Sequence, residues 1–204
     1  MTNDIDSIMQ ETRRYWYEDG FAEIAIGALF GLLSIVLIAQ DVFRDRPEWL
    51  VTSIIGVTII TAFGGFVVRW IIKNLKVRVT YPRTGYVEYN DKPDPRAKRI
   101  ALAMPLVIGL GIIIVPNGFA AMGGAVGIVM GAFMAFIAYQ TGISRFTVAS
   151  IVAIASGILS SYLGFNDVIS TAIVFGSVSM SVFIGGSFTL MAYLRDHPTI
   201  NEDE

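Results

Sequence analysis

Lys76-Val-Arg-Val-Thr-Tyr-Pro82-Arg-Thr-Gly85-Tyr-Val-Glu-Tyr89 is the stretch on which the reading of the fold turns. Its alternation of polar and β-branched or aromatic residues has a period of two, broken in the middle by Pro82-Arg83-Thr84-Gly85, and that pattern predicts a β-hairpin. With Arg83, Thr84 and Gly85 as a three-residue loop, Pro82 faces Tyr86. Val77, Val79, Tyr81, Val87 and Tyr89 then share one face, and Lys76, Arg78, Thr80, Tyr86 and Glu88 share the other. An isolated hairpin is marginal in water, so the apolar face is expected to be a contact face.

Around the hairpin, the polar stretch from Arg69 to Arg99 holds nine of the fifteen Lys and Arg residues. On either side lie apolar runs of about twenty residues, the length needed to cross hydrocarbon. With 54% apolar residues and a mean hydropathy of +0.62, the chain reads as a polytopic membrane protein. The expectation is an all-α protein of six transmembrane helices with a small cytoplasmic β-hairpin between helices 2 and 3. The chain divides into an N-terminal interfacial segment at 1–20, helices 1 and 2 at 21–72, the hairpin at 73–95, helices 3 to 6 at 96–194, and an acidic tail at 195–204.

Before the first span, Arg13-Arg14-Tyr15-Trp16-Tyr17 sets cations beside three rings, which suits the headgroup level. The preceding residues mix acids with cations and lack an apolar core ending at a small-residue cleavage site, which argues against a removable signal peptide. In the first span Gly20, Glu23, Gly27, Gly31 and Ser34 recur at three and four residues and form one helical stripe. Small residues mark helix contacts in a bilayer, because close backbone approach supplies the attraction that lipid-like side chains cannot. Glu23 is therefore expected to point into the bundle, near the membrane surface, with Arg69, Lys73, Arg99 or Arg145 as its salt-bridge partner.

Pro47 suits the first turn of the second helix. Asp94-Pro95 suits the start of the third, which is expected at about Ile100 to Val115 with a kink at Pro105. Later spans repeat the small-residue device: Gly123, Gly127 and Gly131 in the fourth, Gly157 in the fifth and Gly185 in the sixth. The triplets Gly20-Phe21-Ala22 and Gly118-Phe119-Ala120 echo each other and raise an inverted three-plus-three repeat as an alternative design.

With six spans both termini fall on one side, together with thirteen of the fifteen cations, and only Arg44 and Arg46 fall opposite. The positive-inside rule then places the termini in the cytoplasm of a cell-membrane protein. Arg13, Arg14, Lys73, Arg96 and Lys98 are expected to meet anionic lipid headgroups.

Motifs for chemistry are missing: there is no HExxH, GxSxG or P-loop, no cysteine, and the one histidine is His197 in the tail. No catalytic, cofactor or metal residue is assigned, and neither an enzyme nor a nucleic-acid binder is expected. Glu18, Asp19 and Glu23 cluster at the head of the first span and could bind a cation, but an exposed charge run beside Arg13 and Arg14 is the commoner explanation for such a cluster. Two classes of function stand. One is a homo-oligomeric scaffold or accessory subunit whose hairpin meets a cytoplasmic protein or lipid headgroups. The other is a small transporter or lipid-handling protein for a neutral or lipid-like substrate, since no ionisable residue falls near the middle of a span.

Overall fold

The computed structural model describes residues 17–80 and 122–197. Among these residues there are five helices and no strand: α1 (Phe21–Val42), α2 (Pro47–Leu75), α3 (Met122–Thr141), α4 (Ser144–Tyr162) and α5 (Asp167–Asp196). All five are long and apolar enough to cross a membrane, the make-up of a multi-pass membrane protein. The expectation of six helices and a hairpin is thereby corrected. The predicted third span at 100–115 lies outside the described residues.

The hairpin fails at its first strand. Lys76–Thr80 carries α2 onward as one π-helical turn, so that helix runs unbroken for 34 residues from Pro47 to Thr80. No Gly or Pro lies between Gly65 and Pro82 to stop it, and β-branched propensity is a weak force against tertiary contact. Polarity is also the reverse of that predicted for the contact face. Lys76 and Thr80 are buried, Val77 is 51% exposed and Val79 is half-buried. Helical winding places residues 76 and 80, one turn apart, on the same side, where both find a partner in Asp19; burying Val77 and Val79 offers no polar partner in exchange. Tyr81, Val87 and Tyr89 lie outside the described residues.

Helix starts follow from local chemistry. Asp19 Oδ1 accepts a hydrogen bond from Phe21 N at 3.2 Å, and Pro47 opens α2 where no backbone donor is needed. Asn166 caps α5, its Oδ1 accepting from Ile169 N at 2.8 Å.

Two seams organise the packing. Along α1 and α5, Gly27 lies so close to Phe183 that a Cβ there would stand 2.9 Å from the Phe183 backbone nitrogen. Ser179 Oγ donates to the Gly27 carbonyl at 2.7 Å, and Ser34 Oγ donates to the Ala172 carbonyl at 2.8 Å. Along α3 and α4 the backbones themselves touch: a Cβ on Gly127 would stand 2.7 Å from the Gly157 Cα. Met130, Met134, Phe146, Ala149, Val174 and Val178 fill the space between α3, α4 and α5. α2 packs on α1 through Ala22, Val68 and Ile72, and its other faces expose Ile54, Ile55, Ile59, Phe63, Phe66 and Trp70. In water such a surface would be an aggregation hazard, whereas in hydrocarbon it is the solvent-matched side.

The ends of the bundle are distinct. The heads of α1 and α4 and the tails of α2 and α5 gather at one end, which carries the Asp19–Lys76 and Glu23–Arg145 contacts. At the other end Asn166 Nδ2 donates to Asp41 Oδ1 at 2.7 Å, and Gly123 lies against Ser160 and Ser170. The chain therefore leaves the described part at Thr80 on the charged end and re-enters it at Met122 on the opposite end.

Candidate functional site

Gly20 makes the charged end. Its φ of +74° turns the chain into α1 through the left-handed region, and a Cβ at this position would run into the Gly186 carbonyl oxygen of α5. A residue with a side chain would be both strained and blocked. Gly186 in turn lies against the Glu23 Cβ, where an added Cβ would stand 2.7 Å away. This mutual approach seats Asp19 and Glu23, four residues apart, inside the bundle instead of on its rim.

Asp19 is fully satisfied. Its Oδ2 accepts from Thr80 Oγ1 at 3.0 Å and pairs with Lys76 Nζ at 3.1 Å, while Oδ1 holds the Phe21 backbone N–H. Both side chains of the ion pair are buried, at 6% and 1% exposure for Lys76 and Asp19. Bringing two charges out of water is costly, and only close pairing with further hydrogen bonds offsets it, which is the arrangement at Asp19.

Glu23 is held differently. Arg145 Nη2 stands 3.1 Å from its Oε1, yet neither carboxylate oxygen accepts a hydrogen bond of good geometry. The contact is therefore Coulombic. Exposure is unequal, 2% for the Glu23 side chain and 34% for that of Arg145, so Arg145 reaches the surface of the bundle while Glu23 does not. The stem of Arg145 lies over Gly185 of α5, where an added Cβ would meet its Cδ at 3.6 Å. Tyr17 closes the site, its ring edge-on to Phe146 at 5.1 Å between centroids. Burial lifts the Tyr17 hydroxyl above its ordinary pKa near 10, and the negative charge of Glu23 adds to the rise.

Among the four cations expected beside Glu23, Arg145 stands in contact, Arg69 and Lys73 are exposed on α2, and Arg99 lies outside the described residues. Arg13, Arg14, Arg96 and Lys98 also lie outside them. Of the packing glycines, Gly27 and Gly31 face α5, Gly123 lies between Ser170 of α5 and Ser160 of α4, Gly127 and Gly131 face α4, Gly157 faces α3, and Gly185 faces Arg145. Glu18 is exposed, while Asp19 and Glu23 are each engaged by a cation. Sequence reasoning missed Lys76 and Thr80. Their spacing of four residues, matching that of Asp19 and Glu23, was the available signal, and it was hidden under the period-two pattern.

The fold and this end cluster define a helical membrane bundle in which the buried charges of the described residues gather at one end. The chain matches no family model, no curated protein and no solved structure, so its function rests on the site alone.

Proposed function

We propose that the protein is a homo-oligomeric membrane scaffold or accessory subunit rather than a carrier. The observation that carries this reading is the closeness of the α1–α5 and α3–α4 seams, combined with the confinement of buried charge to one end among the described residues. Backbones in contact leave little room for a solute between those helices, and among the described residues no ionisable side chain lies near the middle of a span to hold one. The charged end, which has Lys73, Lys76, Arg78, Arg145 and Arg195, faces the cytoplasm of the cell membrane under the positive-inside rule, and Arg44 and Arg46 lie outside. Arg69, Trp70 and Lys73, exposed at the tail of α2, meet anionic headgroups there.

The outer side of α2 is the oligomer contact in this reading. Thr52, Thr58 and Thr61 return their hydroxyls to their own helix at 2.8, 2.7 and 2.7 Å, and a Cβ on Gly65 would meet nothing within 4 Å, so a second helix has room to approach. The chain has no cysteine, so Gly65→Cys introduces a single thiol. In native membranes this variant is expected to form a disulfide-linked dimer on mild oxidation. A chain that stays monomeric in nanodiscs at every protein-to-lipid ratio, and that moves a neutral solute across vesicles, would sink the scaffold reading and support the carrier.

A further inference from the structure

From Trp49 to Thr80 the second helix and its π-helical turn carry four cations and no carboxylate. Lys76 is turned inward to Asp19. Arg69 and Lys73 are exposed, and among the described residues neither is held by an ion pair or a hydrogen bond. They lie one turn apart on the same face, where like charges repel each other, and a single anion between them relieves both. At 3.6 residues per turn Phe66 and Trp70 share that arc, turned away from Val68 and Ile72, which pack on α1.

The depth of this face follows from the helix itself. Trp49 and Trp70 stand about 32 Å apart at roughly 1.5 Å per residue, which matches a hydrocarbon layer of about 30 Å. The two indoles therefore mark the two headgroup levels. Arg69 and Lys73 fall at the phosphates of the charged end, and Phe66, one turn deeper, falls among acyl chains.

We propose that Arg69 and Lys73 clamp a lipid phosphomonoester, of which phosphatidic acid is the simplest. The clamp presupposes the headgroup placement of these residues proposed above and is independent of the oligomer contact. A guanidinium fork takes two phosphate oxygens at once. A diester phosphate has only two unesterified oxygens and one negative charge, so Arg69 alone uses it up. A monoester keeps a third oxygen, and about 1.5 to 2 negative charges at pH 7, for the Lys73 ammonium. Phe66 and Trp70 on the same arc suit the acyl and glycerol parts of a lipid, which a free phosphate ion lacks.

The test is native mass spectrometry of the full chain in detergent micelles, titrated with phosphatidic acid, phosphatidylglycerol or phosphatidylcholine, reading the Kd of the first lipid bound. Phosphatidic acid is expected to bind about fivefold more tightly than phosphatidylglycerol. Lys73→Gln should remove that difference and leave phosphatidylglycerol unchanged, whereas Arg69→Gln should weaken both; both side chains are exposed, so the fold is kept. Equal affinity for the two anionic lipids overturns the clamp and leaves the headgroup placement standing. No preference for either over phosphatidylcholine overturns the placement as well. A preference for phosphatidic acid that survives Lys73→Gln, or that is lost equally in Arg44→Gln at the opposite end, places its source elsewhere and overturns the clamp. Displacement of phosphatidic acid by millimolar inorganic phosphate also overturns it, since a free anion would then be the ligand.

Discussion

The two ends of the bundle are tied by polar groups in very different surroundings. At one end Asp19, Lys76, Glu23 and Thr80 are withdrawn from solvent; at the other the Asn166–Asp41 hydrogen bond, 2.7 Å long, is exposed. Water competes for the second contact and not for the first, so an exposed polar tie is worth little while a buried one is costly to break on one side. Distance alone is thus a poor guide to strength. The difference teaches that the charged end specifies how α1, α2 and α4 meet, and that the other end adds an exposed tie between the tail of α1 and the head of α5.

The strongest way to break the comparison is Gly20→Val, which adds a strained conformation to a collision with the Gly186 carbonyl. It is expected to cost about 4 kcal/mol in detergent unfolding, or to abolish folded yield. Asp19→Asn comes next, at about 3 kcal/mol, because it leaves the buried Lys76 ammonium without its counter-charge. Adding Lys76→Met to that variant should recover part of the loss, and full additivity in the double-mutant cycle would show that the two do not act as a pair. Arg145→Gln is expected to cost less, about 1 kcal/mol, since a third of its side chain is already solvated and that part of the attraction is screened.

At the far end Asn166→Ala removes a helix cap together with the tie to Asp41, and about 1 kcal/mol is the expected ceiling. A larger loss there would level the two ends. Smallest is the alkaline effect of Tyr17. Its folded-state pKa is raised, so its contribution is fully present below about pH 10 and is lost as pH rises through the folded value. Stability that falls above about pH 10 in the parent chain, and falls less in Tyr17→Phe, is the expected result.

How far the sequence discloses this arrangement depends on the range of the forces involved. The α1 stripe of Gly20, Glu23, Gly27, Gly31 and Ser34 was legible because helical periodicity is local and small residues have one main use in lipid. The candidate partners of Glu23 included Arg145, but nothing local separated it from Arg69, Lys73 or Arg99; only the fold distinguishes them. The misreading at Lys76–Thr80 has the same origin. Val77 and Val79 alternate with polar residues as a strand would, and the feature that outweighs them, Asp19, stands 61 residues before Thr80 in the chain. A period-two pattern over five residues is too short to resist two contacts made at once with a buried carboxylate.

One dimension of the bundle carries a mechanical consequence. The continuous helix from Pro47 to Thr80 has 34 residues, about 51 Å at roughly 1.5 Å per residue, against a hydrocarbon layer of about 30 Å. Such an excess is taken up by tilting, by projecting past the headgroups, or by thickening the bilayer locally. Because Lys76 and Thr80 hold one extremity to Asp19 and the hydrogen-bonded turn at Phe43–Arg46 joins the other to α1, α2 is expected to take up the excess by tilting together with α1.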